Sequence, residues 1–278
     1  MWTFSGHAQR ASRGVRAFAG EQVLLVTMME LPRLLRHPAW RRVDPRQGRG
    51  VGVVLVPGFG FGDTSLLIAA RWLRARGYRP VGARIGLNVG CTTELVERLE
   101  KRVVEHARET GGRVVLFGQS RGGWLARLVA GRRPDLVRGL VMLGSPVLNP
   151  LGAHPAVVRV ARFLARASAW GVPGLLDEQC FTGDCYDTSM AGLAAPLPSQ
   201  VPALAIFSAR DIVAPPELCR DPSAECVEVR STHTGMGLDP DVYAAVEPRL
   251  AQWAAREGAQ PDEALRAAEG LKKLSTAK

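Results

Sequence analysis

From Gly50 onward the chain alternates short apolar runs with longer amphipathic ones, and that alternation limits what it can fold into more than any other feature. Residues 51–56 are almost continuously apolar, the pattern of a strand buried on both faces rather than on one. Strand-like runs recur at residues 79–85, 113–117, 137–143, 203–208 and 226–229. Helices are expected between them: over 64–76, from a Thr93 cap to Gly111 and Gly112, over 122–130, and over 240–257. Short strands separated by crossover-length helices predict an α/β chain with a mostly parallel central sheet and helices on both faces.

Two segments break the alternation. Residues 146–201 separate two successive strands by far more chain than an ordinary α/β connection needs. They hold a basic helical stretch (157–170) and then a Gly-, Pro-, Cys- and Asp-rich loop, which together suit a lid or cap insertion. Residues 1–49 form a basic arm, with nine arginines against Glu21, Glu30 and Asp44, so they carry +6 of the chain's +10 net charge. Its portion from Gly20 to Arg36 suits a helix that Pro32 should kink. The expected organisation is therefore an arm (1–49), a core (50–145 and 202–257), a lid (146–201) and a polar tail (258–278).

A chain with 46% hydrophobic and 22% charged residues is globular rather than disordered. No uncharged apolar run is long enough to span a bilayer, and residues 23–29 make too short a core for a secretory signal. A cytoplasmic location is the expectation, with peripheral contact to anionic membrane through residues 1–49 as one reading of the arm. A helix packed on the body, or a homo-oligomer contact, is the other. Nothing in the sequence resembles a zinc finger, an RNA-binding aromatic signature or a recognition helix, so no nucleic-acid partner is expected. Five cysteines leave at least one unpaired; Cys180 with Cys185 and Cys219 with Cys226 are spaced for local disulfides, not for a paired CxxC zinc site. Without a signal peptide, reduced thiols are the expectation, with Cys91 free in either case.

The chemistry gathers around Gly118-Gln119-Ser120-Arg121-Gly122, which has a strand before it and a helix after it. A serine on that sharp turn holds its hydroxyl clear of the sheet edge, and the flanking positions must be small because strand and helix nearly touch there. A serine hydroxyl needs a base, and the base needs an orienting acid. Of His7, His37, His106, His154 and His233, only His233 lies in a loop directly after the last strand, at the carboxyl edge of the sheet. Asp211, just after the strand at 203–208, is the acid candidate, giving the chain order Ser, Asp, His. Backbone donors for an oxyanion are expected from the N–H groups of Phe59, in the Pro57-Gly58-Phe59-Gly60 turn, and of Arg121.

These residues make the stretch from Gly50 to about Trp253 resemble an α/β-hydrolase of the serine esterase/lipase kind. The similarity is to a widespread bacterial group with a P-G-F loop, a G-x-N-x-G segment (Gly86-Leu87-Asn88-Val89-Gly90), a G-x-S-x-G-G elbow and a G-S-P strand end (Gly144-Ser145-Pro146). Three positions depart from the group. Arg121 stands where Met or Leu is usual, Pro57 stands where many lipases have His, and Ile212 is one position off the usual acid-loop spacing. The resemblance implies hydrolysis of a small-molecule or lipid ester through an acyl-enzyme, with no metal or organic cofactor. Thioesterase and acyltransferase chemistry would use the same residues, and a binding protein that keeps the fold without turnover is the non-enzymatic alternative.

Overall fold

Strands apolar at every position must be covered on both sides, and here they are. The computed structural model describes residues 30–256. Strands β1 (Gly52–Val56), β2 (Arg79–Gly82), β3 (Val114–Gln119), β4 (Val137–Leu143), β5 (Ala203–Phe207) and β6 (Glu225–Glu228) form one sheet in the order β2-β1-β3-β4-β5-β6. Every pairing is parallel. The edge strands β2 and β6 are partly exposed, whereas β1 and β5 are buried throughout.

The period-two rule divides the core between two faces. Val54, Val56, Leu116, Leu140 and Met142 point to one face, under helices α2 (Thr92–Thr110), α3 (Arg121–Arg132) and α5 (Asp184–Ala194). Val53, Leu55, Phe117, Val141 and Ile206 point to the other, under α1 (Leu67–Ala75) and α6 (Pro240–Ala255). Helix α4 (Pro155–Ala169) lies in the long connection between β4 and β5.

Three expectations need correction. First, β2 stops at Gly82 instead of running to residue 85. Asp63 fills the space beside Gly82, where a Cβ would sit 2.2 Å from its carboxylate, and Arg84 turns the chain with φ 55°. Second, Cys91, not Thr93, occupies the N-cap of α2. Third, residues 146–201 are not one lid. Helix α5 is the crossover that a parallel β4–β5 pair requires, with Leu193 in the core and Arg127 of α3 donating to Gly192 O and Ala195 O. Of the two readings of the arm, packing on the body is the one its far end follows. Residues 30–36 are helical, Pro32 included. Leu34 is fully buried, Trp40 meets Tyr243 edge to face, and the buried Arg76 guanidinium donates to Ala39 O and Arg42 O. The rest of the arm, residues 1–29, and the tail from 257 lie outside the described residues, so the anchor reading of 20–29 does too.

Candidate active site

The carboxyl ends of β1, β3, β4 and β5 each deliver one part of the site. At the end of β3, Ser120 sits at φ 53° and ψ −123°, a conformation L-residues avoid, and its N–H donates to Leu143 O at 2.7 Å. The glycines around it are required by close approach. A Cβ on Gly118 would lie 2.5 Å from Gly122 O, and one on Gly122 would lie 2.2 Å from Val56 O. Helix α3 therefore starts hard against both strands, with its positive end beside the serine.

Beyond β5, Asp211 is buried and uses both carboxylate oxygens. Oδ1 accepts from the N–H groups of Val213 and Ala214 at 2.8 Å each, and Oδ2 faces His233 Nδ1 at 2.6 Å. The pair is nearly out of water, with the Asp211 side chain 1% and that of His233 11% exposed. Gly144, at φ 53° after β4, makes room for it. A Cβ there would stand 3.0 Å from Asp211 Oδ2 and 3.2 Å from His233 Nδ1. The Gly-Ser-Pro strand end is thus a floor for the acid–imidazole pair.

The structure joins Asp211 to His233 directly, but Ser120 and His233 share no hydrogen bond. The two loops are tied instead by the side chain of Gln119, whose Nε2 donates to His233 O at 3.1 Å. Two positioning residues escaped notice as such in the sequence. The buried Ser208 hydroxyl accepts from Arg210 N–H at 3.0 Å and Ser231 N–H at 3.1 Å, fastening the acid loop to the histidine loop. Asn88 donates from Nδ2 to Pro57 O at 2.7 Å, and its own carbonyl accepts from Gly60 N–H, bracing the turn that carries Phe59. Asn88 sits inside the Gly86–Gly90 motif quoted above and Ser208 ends the strand run before Asp211, so the signal was present without its role.

Ser120 opens into an apolar cavity lined by Phe59, Trp124, Val157, Val158, Leu176 and Phe181, among others. Of the insertion's large apolar residues, Val157, Val158 and Leu176 line this cavity, whereas Phe163, Leu164, Trp170 and Leu175 do not. Trp170 is 81% exposed and Phe163 56%. Helix α4 turns a different stripe inward, with Ala161 and Ala165 packing near Phe59 and Phe181. Arg121, expected only to offer its backbone N–H, also buries its guanidinium beside the cavity. It donates to Asn88 O, Gly90 O and Thr92 Oγ1 at 3.2, 2.9 and 3.2 Å. Burial lowers its pKa to about 10. All five cysteines are free thiols; Cys219 is buried and Cys226 exposed, so the spacing-based pair between them is not made.

No protein-family model and no curated protein matches the chain. Among solved structures it is similar to a lipase of Bacillus licheniformis, at 16% identity and a TM-score of 0.56, over 72% of this chain and 92% of that one. It is also similar to a thermophilic esterase from Thermogutta terrifontis, at 19% identity and a TM-score of 0.51, over 74% and 91%. A soluble variant of the monoglyceride lipase of Saccharomyces cerevisiae aligns at 15% identity and a TM-score of 0.50, over 76% and 88%. At these identities the likeness is one of architecture, and the architecture is that of the α/β-hydrolases.

Proposed function

We propose that this protein is a serine hydrolase that cleaves carboxylic esters through an acyl-enzyme. The observation that carries the reading is the buried Asp211–His233 pair, held at 2.6 Å beside a strained serine that faces an apolar cavity. Both partners of Asp211 Oδ1 are backbone N–H groups, so its Oδ2 is left for His233 Nδ1–H, which fixes the tautomer with Nε2 as the basic nitrogen. Substrate binding closes the Ser120 Oγ–Nε2 hydrogen bond, as catalytic contacts tighten in the bound complex. His233 takes the serine proton during attack and delivers it to the leaving alcohol. The N–H groups of Phe59 and Arg121 receive the oxyanion, the first braced by Asn88 and the second at the start of α3.

The acyl group enters the cavity, whose walls include residues from α4 and from the chain that follows it; residues 146–182 act as the cap. The test is a panel of p-nitrophenyl esters of increasing chain length, with fluorophosphonate labelling of Ser120. Ser120→Ala is expected to cut kcat/KM by about 10⁴-fold or more while the protein stays folded. His233→Ala should match it and Asp211→Asn should cost less. Near wild-type turnover in pure Ser120→Ala protein would end the assignment. Thioester substrates and alcohol acceptors in the same assay separate thioesterase and acyltransferase chemistry from ester hydrolysis.

A further inference from the structure

Three sulfurs meet beside the cavity, brought there from different parts of the chain. Cys91 caps α2, Cys180 lies in the short helical turn Gln179–Thr182, and Cys185 is in the first turn of α5. Cys185 Sγ is 3.6 Å from Cys180 Sγ and 3.8 Å from Cys91 Sγ, and all three sulfurs lie within 4.8 Å of one another. Among the described residues this is the one group of three or more such ligand side chains close enough to share an ion.

From this geometry we infer a zinc site formed by Cys91, Cys180 and Cys185. A tetrahedral ion with Zn–S bonds of about 2.3 Å holds its sulfurs about 3.8 Å apart, and both measured edges lie close to that value. The charge environment supports the same ligand. The Arg121 guanidinium is buried and its three hydrogen-bond acceptors are all neutral oxygens, from Asn88, Gly90 and Thr92. Three thiols that bind Zn²⁺ release three protons and leave a site of net charge −1, which is the counter-charge that the cation next to it lacks. A disulfide would supply no charge, would leave one sulfur over, and would need an oxidant. The fourth coordination position falls to water.

The site's role follows from where its ligands sit. Cys91 belongs to the core loop that Arg121 grips, and Cys180 and Cys185 belong to the connection that covers the serine. Zinc would rivet one to the other and so fix the cavity wall that Cys180 helps to form. The inference is independent of the chemistry assigned to Ser120.

The full-length chain, purified reduced and without chelator, should hold roughly one zinc, measured by mass spectrometry of the metal. Cobalt(II) added to the zinc-stripped chain should give intense sulfur-to-cobalt charge-transfer bands. Zinc content should fall about tenfold or more in Cys91→Ser and in Cys185→Ser, and stay unchanged in Cys226→Ser. Stripped protein should also be cut faster by protease between residues 146 and 182. Reduced wild-type chain that holds no zinc and gives no cobalt–thiolate bands would overturn the site, even if the variants fail to fold. So would a disulfide between any two of the three cysteines in freshly isolated protein, or zinc that persists in both variants.

Discussion

Ser120 stores strain that serves no structural purpose. A non-glycine residue at φ 53° costs about 1–3 kcal/mol, and the hydroxyl is not engaged as a helix cap. Ser120→Gly should therefore fold to a protein about 1 kcal/mol more stable than wild type, seen as a higher denaturation midpoint, yet inert toward esters. An unchanged or lower midpoint would mean that the turn is not strained. The turn at Ser120 and the Asp211–His233 contact could be placed from the sequence because each is announced locally, by a strand that ends and a loop that follows. Arg121 and Cys91 could not. Nothing near Arg121 says that its side chain folds back to Gly90, and Cys185 is 94 positions from Cys91. Contacts of that range depend on how the connection after β4 is laid over the core.

At the level of elements, the strands and the helices beside the site could be read from hydrophobic period, but the order of the strands and α5 could not. Its sequence, Asp-Cys-Tyr-Asp-Thr-Ser-Met-Ala-Gly-Leu-Ala, has few strong apolar residues and buries only Leu193 fully. What fixes it is polar. Arg127 reaches out of α3 to Gly192 O and Ala195 O at the end of α5, and its Nε pairs with Asp221, on the connection between β5 and β6. Both side chains are almost fully buried. Asp221→Ala leaves that guanidinium uncompensated and should destabilise the protein by about 3–5 kcal/mol in urea unfolding. Replacing both residues, as in Arg127→Met with Asp221→Leu, should recover much of the loss. A single-variant cost below about 1 kcal/mol would show that the pair does not anchor these elements.

For the molecule as a whole, burial of neutral acids sets the response to alkali. Burial pushes the Cys219 thiol up to about 12, and burial also raises the phenols of Tyr78 and Tyr243 above their usual range. A raised folded pKa means that the unfolded chain binds fewer protons once the pH passes the unfolded value. The stability these groups contribute is thus complete below about pH 9 and is lost as pH climbs toward 12. Denaturation midpoints should fall between pH 8 and pH 11; a flat profile would contradict the burial of these side chains.

The docking of residues 33–47 against α6 has a consequence in time. Arg33 reaches Asp241, Trp40 meets Tyr243, and Gln47 donates to Glu247 O across 200 positions of sequence. On a ribosome adding about 5–20 residues per second, the segment made early waits about 10–40 seconds for its partner helix to be made. Until then the part of the sheet that α6 covers stays open, so this face of the core can close only after residues 240–255 have been made.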